Sequence, residues 1–129
     1  MVAVDTNVLV RLLTNDHAAQ ATRAAAVFRA GPVFVPKTVL LETEWVLRYT
    51  YGRPAAAIAR AFLGVLGLAS VTVEDVPTVH LAIRMLEQGV DFADALHLAS
   101  SEGAERFVTF DAQLVKRAPK MSPLPVALA

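Results

Sequence analysis

Four short apolar runs, each followed by turn or helix-start residues, leave this chain few folds to adopt. They are Val2-Ala3-Val4, Val33-Phe34-Val35, Val71-Thr72-Val73 and Phe107-Val108-Thr109. Between them the apolar residues recur at helical rather than strand spacing. Helices are expected from Val8 through Leu13, over Ala18 to Ala30 with a stop at Gly31-Pro32, and over Thr38 to Tyr51 with a stop at Gly52. Others are expected from Pro54 to Gly67, from Val76 to Gln88 before Gly89, from Asp91 to Ser101 before Gly103, and in a short piece after Asp111. Strands without polar alternation are buried on both sides, and strands separated by helices pair in parallel. The predicted fold is therefore α/β, a short central parallel sheet with helices on both faces. The exit, with Pro119, Pro123 and Pro125, has room for one edge strand at Val126-Ala127-Leu128.

A chain of 129 residues suits one domain with one core. The expected domain is 1–129, with 119–129 as a proline-bearing C-terminal tail. With 55% hydrophobic and 19% charged residues the chain is too apolar for disorder. It has no cysteine, which excludes disulfides, thiolate metal sites and thiolate nucleophiles. The longest uncharged stretch, Ala61 to Val73, is thirteen residues, short of the roughly 20 that a membrane helix needs. The N-terminus lacks a basic region before its first acid, Asp5, so it does not read as a signal peptide. The expectation is a soluble, cytoplasmic protein with no membrane partner.

Lys plus Arg and Asp plus Glu are 12 each, and the net charge is zero. Bulk positive charge therefore cannot drive nucleic-acid binding. The signs are nonetheless segregated, with basic residues concentrated between His17 and Arg60 and acids between Glu74 and Asp111. No phosphate-binding loop, dinucleotide fingerprint or hydrolase elbow is present.

The chemistry is carried by carboxylates. In parallel sheets ligands gather beyond the carboxyl ends of the strands. Asp5 follows the first strand directly and Asp111 follows the fourth. Glu42 has Thr38 and Val46 at i−4 and i+4, so it lacks a cationic partner on its helix; Val39 and Tyr49 put it on a largely apolar face. Glu44, by contrast, has Arg48 four residues on and reads as a surface ion pair. Asp91 and Asp94 stand three apart at a helix start, as in a capping box. Each acid taken singly has a structural explanation, for Asp is a preferred N-cap. Taken together, Asp5, Glu42, Asp94 and Asp111 form a set without local basic partners. Clustered carboxylates raise one another's pKa values, and a hard divalent cation with oxygen ligands removes the conflict. Such a site suits hydrolysis of a phosphodiester.

The segments Val4-Asp5-Thr6-Asn7-Val8-Leu9, Leu41-Glu42, Asp91-Phe92-Ala93-Asp94-Ala95-Leu96-His97 and Val108-Thr109-Phe110-Asp111 occur in this order over residues 1 to 117. In that order and spacing the chain resembles the PIN-domain family, and more narrowly the VapC-type toxins of bacterial type II toxin–antitoxin systems. The resemblance implies an α/β/α sandwich and an endoribonuclease that depends on Mg²⁺, with Mn²⁺ as a substitute. It implies a small VapB-like antitoxin whose C-terminal segment lies across the active-site groove, homodimerisation, RNA as substrate, and promoter DNA bound only through the antitoxin. Asp5, Glu42, Asp94 and Asp111 then correspond to the catalytic, metal-binding quartet, with Asp5 and Asp94 as the most direct ligands. Thr6, Asn7 and Thr109 would orient carboxylates or phosphate, and Asp91 would cap its helix and touch a metal-bound water.

Other groups have more ordinary explanations. His97, one turn past Asp94, reads as a packed or capping histidine, and His17 and His80 as surface or packing residues. Trp45 and Tyr49 read as core or dimer contacts, and Arg48, Arg53 and Arg84 as candidate phosphate contacts. The apolar helix Ala55 to Gly67 suits a dimer face. Two rivals to the nuclease stay open: a non-catalytic binding module whose acids only cap helices, and another Asp-based α/β phosphohydrolase. The second would want an Asp two residues after Asp5, where Asn7 stands.

Overall fold

The computed structural model describes residues 1–118 and 120–129, in two compact units, Met1–Val76 and Pro77–Ala129. Pro119, the first residue of the expected tail, lies outside the described residues.

The first unit begins with β1 (Val2–Ala3), α1 (Thr6–Thr14) and α2 (Ala18–Ala30), followed by β2 (Val33–Val35). It continues with α3 (Lys37–Tyr49), α4 (Ala55–Leu66) and β3 (Val71–Val73). The strands pair in parallel in the order β1-β2-β3, with Val2 opposite Val33 and Val33 opposite Val71. Each parallel step needs a long crossover, and the helix pairs α1–α2 and α3–α4 supply them. β2 is central and its Val33 and Val35 are fully buried. β1 is an edge strand whose Val2 and Ala3 are exposed, although their apolar run predicted burial. Only Val4, which donates to the Phe34 carbonyl just past the strand, is buried there.

The second unit comprises α5 (Val76–Glu87, whose first residue closes the first unit), α6 (Phe92–Ala99), β4 (Phe107–Thr109), α7 (Ala112–Arg117) and β5 (Val126–Leu128). β4 and β5 pair in parallel, Phe107 opposite Val126, with α7 as the crossover. All five strands expected from the sequence thus form, and every pairing is parallel, as α/β chains require. They are divided between a three-stranded and a two-stranded sheet. Among the described residues no helix is long and apolar enough to cross a membrane.

The buried face of α3 decides how Glu42 is presented. Leu40, Thr43, Glu44 and Leu47 are all buried, at i, i+3, i+4 and i+7. Two sequence expectations are corrected here. Glu44 is not a surface residue: it is 2% exposed, although its pair with Arg48 exists as expected. Glu42 does not lie on the apolar face but on the exposed one. Trp45 and Tyr49, expected in a core or a dimer contact, are 56% and 62% exposed, so neither belongs to the core of this chain. Their rings touch each other, with centroids 5.1 Å apart, and the Arg48 guanidinium lies over Tyr49.

The Thr43 hydroxyl on the buried face has no hydrogen-bond partner among the described residues. A buried hydroxyl left unpaired carries its full desolvation cost. Thr43→Val keeps the shape and removes that cost, so urea unfolding should show a gain of about 1 kcal/mol. A loss of stability would mean that the hydroxyl is hydrated.

Candidate functional site

Asp5 is the N-cap of α1: its backbone is extended, and its Oδ1 accepts from the Val8 amide at 3.1 Å. A helix start leaves amides unpaired, and Asp supplies an acceptor. Only one carboxylate oxygen is used in that bond. Thr6, the first residue of α1, is buried, and its hydroxyl donates to Glu42 Oε1. Glu42 is therefore held by a neutral donor that fixes its direction without neutralising its charge. Asn7 is exposed and lines the same cavity as Asp5. Asp5, Thr6, Asn7 and Glu42 all belong to the first unit.

In the second unit Gly89, at φ +93°, turns the chain out of α5 in a conformation that favours glycine. Asp91 then caps α6, its Oδ1 accepting from the Ala93 amide at 3.0 Å. Asp111 caps α7, its Oδ1 accepting from Gln113 at 2.9 Å and Leu114 at 3.2 Å. The Thr109 hydroxyl accepts from the Asp111 amide at 3.0 Å and so shapes the turn leading into that cap. Asp94 differs from all of these. It is half-buried in the first turn of α6 and makes no hydrogen bond or ion pair among the described residues. Burial pushes its carboxyl above the ordinary range, the charges of Asp91 and Asp111 push it further, and His97 opposes them. The three aspartates line one small cavity of about 80 Å³.

Arg117 also lines that cavity, its Nη1 donating to the Gly89 carbonyl at 3.2 Å. Arg117 was not among the residues singled out from the sequence; its place in the last turn of α7, six residues after Asp111, was the available signal. A second group was also missed. Arg11 donates from Nε to Gln20 Oε1 at 2.6 Å and from Nη1 to the Tyr51 hydroxyl at 2.9 Å, and it pairs with Asp16 at 3.3 Å. Tyr51 donates in turn to Asp16 at 2.8 Å, and this bond holds the Asp16 carboxyl below its usual value. His17, expected as a surface or packing residue, caps α2 through Nδ1, which accepts from the Gln20 amide.

Among the described residues no three His, Asp or Glu side chains form a ready-made metal cage. Mg²⁺ does not demand one, since it keeps several waters and takes few protein carboxylates. The donor set suits it: all oxygen, with a crowded Asp94 whose charge a cation would relieve.

No curated protein matches the sequence. Among solved structures the chain is similar to the crystal structure of VapBC2 from Rickettsia felis bound to a DNA fragment from their promoter. The TM-score is 0.39 and the identity 14%, over 99% of this chain and 98% of that one. That likeness is too distant to carry an argument. The PIN domain family matches residues 2–120, which takes in every acid described above. The chain belongs to the PIN domain family, a family of nucleases.

Proposed function

We propose that this protein is a divalent-metal-dependent endoribonuclease that acts as the toxin of a VapBC-like toxin–antitoxin pair. Asp94 carries the reading. It is the one aspartate of its cavity without a capping bond, and it is held half-buried against two like charges. A structural acid would be paired or solvated. An acid raised by burial and by like charges inside a cavity marks a candidate functional site.

Asp5, Glu42, Asp94 and Asp111 are assigned as the carboxylates that hold Mg²⁺ or Mn²⁺, Asp5 and Asp94 most directly. The bound ion would supply a Lewis acid that lowers the pKa of water and stabilises charge on the in-line phosphate. Thr6 orients Glu42 through its hydroxyl. Thr109 sets the turn that aims Asp111, and Asp91 keeps α6 in place while adding negative charge beside Asp94. Asn7 offers an amide near Asp5 for a phosphate or sugar oxygen. The same reading assigns RNA as substrate, a VapB-like antitoxin as inhibitor, promoter DNA as a contact made through that antitoxin, a homodimer as the working form and the cytoplasm as its place.

One observation favours a second reading. Asp5, Asp91 and Asp111 do cap helices, as a non-catalytic module would have them do. The two readings separate in a ribonuclease assay on total tRNA and structured RNA, run with Mg²⁺, with Mn²⁺ and with EDTA. Discrete cleavage abolished by EDTA is expected. Absence of cleavage with either ion, together with a melting temperature indifferent to both, would leave the non-catalytic module standing.

A further inference from the structure

A second, larger cavity in the first unit has no part in the account so far. It has a volume of about 510 Å³ and is lined by α1 and α2, with Asp5, Asn7, Val8, Gln20, Arg23 and Val27 on its walls. That size falls within the roughly 300–1,000 Å³ of small-molecule sites. The walls are mixed: aliphatic groups from Val8 and Val27, two carboxamides, and charges of both signs.

The charged groups are not equivalent. The Arg11 guanidinium beside this cavity is already engaged by Gln20, Asp16 and Tyr51. Gln20 gives its Oε1 to Arg11, which leaves its amide N–H groups to donate elsewhere. Asp5 uses Oδ1 to cap α1. Arg23, three residues after Gln20 on α2, is exposed and makes no hydrogen bond or ion pair among the described residues. The cavity therefore holds an uncommitted guanidinium along a wall that also carries Asp5. A planar guanidinium with its donors free matches a phosphate bidentately.

We infer that the α1–α2 cavity binds one unstacked nucleotide of the RNA beside the scissile phosphate, with Arg23 clamping its phosphate. The inference rests on the nuclease reading and names a substrate contact for it. The base would lie against Val8 and Val27, and the Asn7 and Gln20 amides would meet its edge. Only a nucleotide out of helical stacking can enter such a cavity, so the substrate class is single-stranded RNA or a loop. The zero net charge of the chain makes this local contact matter, because no general basic field stands in for it.

The test measures binding of a short single-stranded RNA, taken from a cleaved substrate, over a range of KCl concentrations. Asp94→Asn serves as the silenced background, and Arg23→Ala and Arg23→Lys are compared within it. Arg23 is exposed, so thermal unfolding should be unchanged in both. Arg23→Ala should weaken binding about tenfold and reduce the log–log salt slope by about 0.7, the loss of one phosphate contact on a single strand. Arg23→Lys should restore the slope but only part of the affinity. In the active protein, Arg23→Ala should act through KM rather than kcat, as a positioning residue would. Unchanged affinity and slope, with wild type still cleaving, would overturn the inference. So would unchanged RNA binding with lost binding of an inhibitory protein, which would give the cavity to that partner. If wild type cleaves no RNA at all, the nuclease reading fails first, in a measurement made before any Arg23 variant, and this inference falls with it.

Discussion

Asp94→Asn should lower RNA cleavage by about 10²- to 10⁴-fold, the range expected when an acid in direct contact with the reaction is lost, and should raise the melting temperature at neutral pH. The two effects have one cause. Asp94 sits half-buried in the first turn of α6, and its carboxyl is pushed up by burial and by Asp91 and Asp111, against the opposing influence of His97. A carboxyl raised in the folded state favours the protonated form of the fold. Its contribution is favourable below the ordinary carboxylate range and is lost as pH rises through the raised value, so at pH 7 the ionised Asp94 works against folding. Asparagine cannot ionise and removes that burden. The helix N-terminus offers an anion about 0.3–1 kcal/mol in compensation, which acts against burial and the two like charges. The gain in melting temperature should shrink as pH is lowered toward the carboxylate range. Mg²⁺ should raise the melting temperature of wild type and raise that of Asp94→Asn much less. Full cleavage by Asp94→Asn would remove the residue from the reaction. A variant no more stable than wild type at any pH would remove the repulsion argument instead.

What the sequence made legible follows from how locally each feature is encoded. The strands were readable because each is a short apolar run lying between helix stops such as Gly31-Pro32 and helix starts such as Asp111. The caps were readable for the same reason: Asp5, Asp91 and Asp111 each bond amides two or three residues ahead, and that distance is a property of the chain itself. The face of α3 was not readable. Its apolar residues include Trp45 and Tyr49, which are exposed, so an amphipathic reading had two stripes to choose between and took the wrong one. That choice exchanged the environments of Glu42 and Glu44, which are only two residues apart and so point to different sides of the helix. Contacts between distant segments were equally hidden. Thr6 reaches Glu42 across 36 residues, Tyr51 reaches Asp16 across 35, and Arg117 reaches Gly89 across 28. No local pattern announces such pairs. The identity of the candidate acids was thus visible in the chain, while the work each one does was not: three cap helices, one is held by a threonine and one makes no hydrogen bond or ion pair among the described residues.

The misread glutamate leads to the second large effect. Arg48→Ala should destabilise the protein by about 3 kcal/mol, the lower end of the cost of breaking a buried ion pair. Glu44 is 2% exposed and lies between Leu40 and Leu47 on the buried face of α3. Arg48 grips it from one turn further on, with Nη2 donating to Oε1 at 3.2 Å and Nε 3.0 Å from Oε2. Removing the guanidinium takes this ion pair away from a carboxylate that stays largely dry, which is far worse than having neither group. Arg48 itself is 34% exposed, so water reaches part of the vacated space and holds the cost toward the lower end. A further contribution of about 0.5–1 kcal/mol goes with the loss of its contact over the Tyr49 ring. The pair should nevertheless be replaceable as a unit. Glu44→Met with Arg48→Met puts apolar groups of similar length on both positions, and it should recover most of the loss because neither charge is then left alone. Urea unfolding of the two single variants and the double variant gives the coupling directly. A small effect of Arg48→Ala alone would mean that Glu44 is reached by water. A double variant as unstable as the worse single variant would mean that the charges are needed for packing in this register, beyond satisfying each other.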